Sequence, residues 1–274
     1  MTLGIQQFQH LARQRLSNED AALEIELMLC QVLKKSRIFL RTWPDTLLTE
    51  AQVTQLDAYL QQREQGVPLA YILGERAFWT LNLSVSPEVL IPRPDTECVV
   101  EKVLALAQGK QWRVADLGTG SGAIALSLAK EHPEWSIVAT DLYPQSLAIA
   151  KHNAQKNQIR HVEFVQGSWF EPLTGLFDCI VSNPPYIVAN DPHLAQLRHE
   201  PQRALVADKE GLSDLAHLVQ HAADYVVQGG WLVLEHGFDQ GAVVRQLMQA
   251  AGWIHTMTGQ DYGGNDRYTV GQRC

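Results

Sequence analysis

Up to about residue 73 the apolar positions recur at helical spacing, most plainly at Ala21, Leu23, Ile25, Leu27, Met28, Leu29, Val32 and Leu33. One face of each helix is then apolar, and the segment predicts a small helical bundle. Ser17 or Asn18 is the expected cap ahead of Glu19 and Asp20. A further helix is expected over 49–64, opened by Thr49, and a short turn near 68–73, separated by Trp43-Pro44-Asp45 and by Gly66 to Pro68. Between 76 and 91 the spacing changes to alternation, with Phe78, Leu81, Leu83, Val85 and Val89 around Asn82 and Ser86-Pro87, which predicts a hairpin. The prolines of Ile91-Pro-Arg-Pro-Asp-Thr-Glu97 preclude regular structure before a helix of about 95–107, capped by Asp95 or Thr96.

From Trp112 onward strands and helices alternate: strand 112–117, helix 122–131, strand 135–140, helix 144–157, strand 161–166 and strand 177–182. Helix 211–227, strand 231–236, helix 239–251 and two short strands near 253–258 and 267–271 complete the pattern. Such alternation predicts an α/β, Rossmann-like fold, its sheet mostly parallel with helices on both faces. The organisation is thus a helical domain over 1–73, a hairpin and linker over 74–94, and an α/β domain over 95–274.

Composition narrows the partners. The 274 residues are 46% hydrophobic, enough for a good core, and 22 Lys and Arg stand against 30 Asp and Glu for a formal net charge of −8. Duplex binding relies on clustered cations that neutralise phosphates, so nucleic acid is not expected as the direct partner. Cys30, Cys98, Cys179 and Cys274 form no Cys-x-x-Cys pair and have no histidine at zinc-finger spacing, so no metal is expected and reduced thiols in a cytoplasm fit best. No apolar stretch approaches the roughly 20 residues that span a bilayer, and neither secretion nor membrane insertion is expected.

Candidate chemistry sits at the ends of the predicted strands. Val114-Ala-Asp-Leu-Gly-Thr-Gly-Ser-Gly-Ala123 runs a strand through a glycine-rich turn into a helix, where glycines let the backbone approach a ligand closely. Gly118-x-Gly120-x-x-Ala123 also satisfies the dinucleotide fingerprint, so the turn alone leaves NAD and other adenosine cofactors open. Asp141, at the end of the next strand, has the reach to take a ribose diol or, on a blander reading, to cap the helix after Tyr143-Pro144. Asp116 favours a cationic sulfonium, S-adenosylmethionine, because a pyrophosphate would be repelled. Asn183-Pro-Pro-Tyr186 follows the buried run Phe177 to Ser182. Pro184 and Pro185 fix two φ angles and remove two N–H donors, so the loop offers acceptors to an NH2-bearing guest, and Tyr186 offers a flat apolar face.

Together, Asp116-Leu-Gly-Thr-Gly-Ser-Gly122, Asp141, Ser182-Asn-Pro-Pro-Tyr-Ile187 and Leu90-Ile-Pro-Arg-Pro-Asp-Thr-Glu97 resemble the HemK/PrmC family, the release-factor glutamine N5-methyltransferases. Ala77-Phe-Trp-Thr-Leu, Leu234-Glu-His-Gly237 and Asp261-Tyr-Gly-Gly-Asn-Asp-Arg267 extend the resemblance nearly end to end. It implies a class I methyltransferase sheet, with the helical N-terminus as a release-factor-docking domain. Gly118, Thr119, Gly120, Ser121, Gly122 and Asp141 would hold S-adenosylmethionine, with Trp169 beside its adenine and Asn183 touching both cofactor and substrate. Asn183, Pro184, Pro185 and Tyr186 would hold the glutamine of the Gly-Gly-Gln tip of class 1 peptide chain release factors. Where relatives often carry an acid for the adenine amine, this chain reads Gly167-Ser168, which leaves that contact to Ser168 or to backbone.

An amide nitrogen is a poor nucleophile because its lone pair is delocalised. Acceptance of its two N–H groups by the Asn183 side-chain oxygen and the Pro184 carbonyl would pin it and enrich the nitrogen. No strong general base is needed on this reading, so Glu235 and His236 are expected to be satisfied polar groups at a sheet edge. Arg93 and Glu97 admit either an ion pair at the domain junction or a part in ordering the pocket. The alternatives are an adenine-N6 nucleic-acid methyltransferase using the same tetrapeptide on a flipped base, a cofactor-binding scaffold without catalysis, and an NAD-dependent dehydrogenase.

Overall fold

The computed structural model describes residues 3–16 and 18–274. The chain divides into two compact units, Met1–Gly74 and Glu75–Cys274.

In the first unit, helices Ile5–Arg15, Ala21–Leu33, Arg37–Thr42, Glu50–Glu64 and Leu69–Leu73 close over a core that includes Ile5, Ile25, Met28, Leu29, Leu56 and Leu60. Each such buried aliphatic side chain contributes about 1.5–3 kcal/mol of transfer free energy. Thr49 opens its helix as expected: its hydroxyl accepts from the Gln52 N–H at 3.3 Å while the Gln52 side chain accepts from the Thr49 N–H at 2.9 Å, a reciprocal cap. The cap ahead of Ala21 differs from expectation. The residue at that position is Asp20, and the Asn18 side chain donates instead to Glu24 at 3.1 Å; Ser17 lies outside the described residues. Two-residue strands, Leu3–Gly4 and Leu47–Leu48, pair antiparallel; they are too short to show an alternation in sequence.

In the second unit the hairpin strands Glu75–Phe78 and Leu81–Ser84 lead to a seven-stranded sheet. Its strands are β1 (Arg113–Leu117), β2 (Ser136–Asp141), β3 (Val162–Gln166), β4 (Phe177–Ser182), β5 (Val226–Glu235), β6 (Ile254–Gln260) and β7 (Asp266–Gln272). The spatial order is β6-β7-β5-β4-β1-β2-β3, parallel except for β7, which pairs antiparallel with both β5 and β6. Successive side chains of a strand point to opposite faces. Val114 accordingly joins one core with helices Glu97–Ala107 and Ala123–Glu131, while Ala115 and Leu117 join another with Ser213–His221 and Gly241–Ala250.

Two expectations are corrected. The helix expected over 211–227 is shorter: Gly211 follows Lys209 and Glu210 in the left-handed region, with φ of 78° after 52° and 59°, the helix runs Ser213–His221, and a 3-10 turn at Ala222–Asp224 leads into β5, which begins at Val226. Three successive left-handed residues cannot continue a right-handed helix. The helix expected from 95 is a 3-10 turn, Pro94–Thr96, followed by Glu97–Ala107, and neither Asp95 nor Thr96 caps it with its side chain. The Thr96 hydroxyl is engaged elsewhere.

Parallel strands β1, β2 and β4 end in register, with Leu117 beside both Thr140 and Ser182. The order of connection reverses at β1, and there the loops diverge and leave a crevice at the strands' C-terminal ends.

Candidate active site

That crevice holds a cavity of about 290 Å³. Its floor is the turn after β1, in which Gly118, Gly120 and Gly122 have φ of +72°, +56° and +85°. Any side chain would be strained at these angles. A Cβ on Gly118 would come 3.4 Å from the Trp169 ring, whereas nothing stands within 4 Å of one on Gly120, whose backbone faces open space.

Two carboxylates shape the turn. Asp116 Oδ2 accepts from the Thr119 hydroxyl at 2.6 Å and from the Ala125 N–H at 3.1 Å, fastening the turn to the first residues of its helix. Burial pushes its pKa up to about 6, against those two hydrogen bonds. Asp141 accepts from the Gly120 N–H through Oδ2 and from the Tyr143 N–H through Oδ1, both at 2.9 Å. Desolvation raises its pKa too, and these backbone donors oppose the rise. Asn153, on helix Pro144–Lys156, was not singled out from sequence. Its Nδ2 donates to the Ser84 and Ser121 carbonyls at 3.0 and 2.9 Å and its Oδ1 accepts from the Ser84 N–H at 2.6 Å, tying the hairpin to the glycine turn.

Of the sequence-nominated residues, Gly118, Thr119, Gly120, Ser121, Asp141, Trp169, Asn183 and Pro185 line this one cavity. Gly122, Pro184 and Tyr186 are not among its lining residues, though Pro184 sits between two that are, Asn183 and Pro185. Gly122 turns into the helix, where a Cβ would meet Leu126 at 2.9 Å, and Pro184 is buried. Tyr186 stands behind the loop with its hydroxyl 3.4 Å from Glu235 Oε1. Asn183 Nδ2 donates to Thr96 Oγ1 at 3.3 Å. Among the described residues no donor reaches Asn183 Oδ1 or the Pro184 carbonyl. The loop is held from behind by Gln240 Nε2, which donates to the Tyr186 carbonyl at 3.1 Å, and by Gly211, where a Cβ would lie 2.2 Å from that same oxygen.

Cavity residues that sequence reasoning passed over carry no local motif. Arg203 and Asp214 line the cavity. The Arg203 guanidinium lies 4.4 Å from the Tyr143 ring centroid and donates to the Glu88 carboxylate at 2.7 Å, joining three distant segments at the rim. Arg93 and Glu97 do not pair with each other: Arg93 donates to buried Glu200 at 2.5 Å, and Glu97 accepts from the Trp79 N–H at 2.8 Å. Ser168 donates its N–H to Glu171 at 3.2 Å and accepts from the Glu171 N–H at 2.9 Å, so its backbone is already engaged.

Glu235 and His236 do not lie at a sheet edge, since β5 runs between β4 and β7. His236 is satisfied, with its ring nitrogens 2.8 Å from the Gly237 carbonyl and 2.9 Å from the Thr269 hydroxyl. Glu235 is not: it is 1% exposed and its Oε2 has no hydrogen-bond partner. Desolvation pushes its pKa up to about 7, opposed by the Thr96 hydroxyl, Arg267 and the Tyr186 hydroxyl.

The donor set fits a sulfonium-bearing nucleoside. The floor is bare backbone, Asp141 keeps lone pairs beyond the two it has spent, and of the charged residues lining the cavity Glu88, Asp116, Asp141 and Asp214 stand against Arg93 and Arg203, both already paired with glutamates. No group of three or more potential metal ligands occurs among the described residues. No helix among them is long and apolar enough to cross a membrane.

Comparison with known proteins agrees on one family. The model of the PrmC N-terminal domain matches residues 6–74, and that of the methyltransferase small domain matches residues 96–205. The release factor glutamine methyltransferase of Aliivibrio fischeri is 47% identical over 279 residues, covering 99% of this chain and 98% of its own length. That of Vibrio cholerae is 48% identical, covering 94% and 92%, and that of Escherichia coli K12 is 44% identical, covering 97% and 99%. Among solved structures, a methyltransferase from Pyrococcus furiosus superposes with a TM-score of 0.54 at 17% identity, covering 78% of this chain and 98% of its own. The hMettl16 catalytic domain in complex with MAT2A 3′UTR hairpin 1 superposes at 0.59 with 14% identity, covering 84% and 83%. Both likenesses concern the fold.

Proposed function

The chain belongs to the family of release factor glutamine methyltransferases, and we propose that its cavity carries a methyl group from S-adenosylmethionine to the side-chain amide N5 of the Gly-Gly-Gln glutamine in class 1 peptide chain release factors. The observation that carries this reading is that Asn183 opens onto the same cavity as the glycine turn and Asp141, with its Oδ1 and the Pro184 carbonyl free of donors.

When bound, S-adenosylmethionine supplies an electrophilic methyl carbon on a sulfonium. The rest falls to the chain's own residues. Gly118 to Ser121 would give the backbone approach, Asp141 would take the ribose hydroxyls through its remaining lone pairs, and Trp169 would supply the flat face for the adenine. Asn183 Oδ1 and the Pro184 carbonyl each accept one N–H of the glutamine carboxamide. Two fixed acceptors hold the amide plane and raise electron density on a nitrogen whose lone pair resonance would otherwise withdraw. Because they are already oriented, they need little reorganisation as positive charge develops on that nitrogen. Methylation leaves a cationic amide, whose N–H is strongly acidic and departs to water, so no dedicated base is required.

The helical unit over residues 6–74 matches the PrmC N-terminal domain, and we assign it to docking of the release factor in the cytoplasm. Tyr186 supports the loop from behind, through Glu235, rather than from within the cavity. The decisive experiment incubates the protein with labelled S-adenosylmethionine and an intact release factor, then locates the label by mass spectrometry. Label on the Gly-Gly-Gln glutamine is expected; label on nucleic acid, with none on the release factor, would overturn the assignment in favour of an adenine-N6 methyltransferase.

A further inference from the structure

One carboxylate in the cavity has no partner of its own. Of the four that line it, Glu88 takes Arg203, Asp116 takes Thr119 and the Ala125 N–H, and Asp141 takes the N–H groups of Gly120 and Tyr143. The fourth is Asp214. Among the described residues no hydrogen bond engages its half-buried carboxylate.

Strand order says which end of the cavity Asp214 serves. Asn183 follows β4, Asp141 ends β2 and Trp169 follows β3, and these strands stand in the order β4-β1-β2-β3. A nucleoside with its sulfonium by Asn183 and its ribose by Asp141 therefore sets its base by Trp169. Trp169 is held there in the left-handed region, at φ of 45°, with its ring over Gly118. Asp214 comes to the same place from helix Ser213–His221, on which Asp214, His217 and His221 share one face. The rings of His217 and His221 lie 6.0 and 6.5 Å from that of Phe170, the residue after Trp169. One turn before His217, Asp214 lines the cavity together with Ser168 and Trp169, and the same three also line a second cavity with Phe170 and His217.

Adenine carries a single exocyclic donor, its 6-amino group, whose protons need acceptors. The backbone N–H and carbonyl of Ser168 are both engaged by Glu171. We propose that Asp214 is a specificity-determining residue for the base of the cofactor, its carboxylate accepting an N–H of the adenine 6-amino group. This role rests on the assignment of the cavity to S-adenosylmethionine and is independent of the methyl acceptor. An ionised acceptor makes a stronger hydrogen bond than a neutral one. A base without the amine leaves that acceptor unpaired and is rejected for it.

The test is calorimetry on the full-length protein with two ligands, S-adenosylhomocysteine and its analogue with hydrogen in place of the 6-amino group. A hydrogen bond to a charged group corresponds to about 10- to 100-fold in affinity, so the wild type is expected to prefer the amine-bearing ligand by that factor. In Asp214→Ala the preference is expected to fall by about fivefold or more, because removing the amine and removing the carboxylate delete the same contact. A merely structural Asp214 would weaken both ligands alike and leave the preference where it was.

A wild-type preference below about fivefold, or one that falls by less than about fivefold in Asp214→Ala, overturns the assignment of Asp214. If Asp214→Ala does not fold, Asp214→Asn takes its place: the neutral amide is expected to lower the preference by about twofold or more, and an unchanged preference overturns the assignment. Failure of the wild type to bind S-adenosylhomocysteine would sink the cofactor site itself; binding with no preference between the two ligands would sink only the role of Asp214.

Discussion

Asp141 holds the glycine turn open by taking the N–H of Gly120 on Oδ2 at 2.9 Å, while its other oxygen takes the N–H of Tyr143 at the same distance. One carboxylate thus fixes two loops that flank the cavity. Asp141→Ala strands both donors and removes the acceptor proposed for the ribose. Hydrogen bonds to a charged group contribute about 1.5–3 kcal/mol each, so Kd for S-adenosylmethionine is expected to rise by about 10- to 100-fold in calorimetry. An unchanged Kd would show that Asp141 serves the fold alone.

Asn183→Ala removes the side-chain acceptor and leaves β4 and the prolines in place. Turnover is expected to fall by about 10²–10³-fold, the range for loss of one preorganised partner. The melting temperature should move little and cofactor Kd by less than about tenfold. Methylation at the wild-type rate would remove Asn183 from the chemistry.

Gly211→Ala tests the support of the loop. The new Cβ would sit 2.2 Å from the Tyr186 carbonyl oxygen, at a φ of +78° that side chains rarely adopt. The loop must shift, at a cost of about 1–3 kcal/mol of strain. Turnover should drop at least about tenfold, because displacing reacting groups by about 1 Å costs about 10²-fold, and steady-state kinetics beside thermal melts would separate the two effects.

Glu235 gives a stability signature in pH. Burial raises its folded pKa from 4.5 to about 7, so between those values the folded state keeps a proton that the unfolded chain has released. Stability from this group is fully present below pH 4.5 and is lost as pH rises through about 7. E235Q cannot titrate. The difference in unfolding free energy, variant minus wild type, is therefore expected to grow with pH across that window and to be flat above it. A difference independent of pH would remove the assigned shift.

Removal of residues 1–74 should leave S-adenosylmethionine Kd within a few-fold of wild type, since the cavity is built wholly from the second unit. On an intact release factor kcat/KM should fall by about tenfold or more, with little change on a short glutamine peptide, as expected when a remote contact supplies binding energy. Equal losses on both substrates would refute a docking role.

The parts of the site legible in the sequence are those that carry a local signature. The glycine turn shows because left-handed backbone demands glycine at Gly118, Gly120 and Gly122, and Asn183-Pro-Pro-Tyr186 shows because two prolines empty a loop of donors. Arg203 and Asn153 were missed, since one acts from a loop and the other from a helix face, on partners more than 30 residues away in each case. The helix expected over 211–227 is shorter, Ser213–His221, because an apolar period registers neither the left-handed Gly211 at its start nor the 3-10 turn at Ala222–Asp224.

The sequence by itself determined the order of strands and helices, the family, and the two loops that line the cavity, because these depend on short-range backbone constraints and on periodicity. Only the tertiary structure decided which way Asn183 faces, that Tyr186 stands behind the loop, and that Glu235 is buried with an oxygen unpaired. Those outcomes depend on which polar groups from Thr96, Tyr186, Glu235 and Arg267 are brought together out of water. Hydrogen-bond direction and carboxyl pKa are properties of that assembled neighbourhood, not of any stretch of chain.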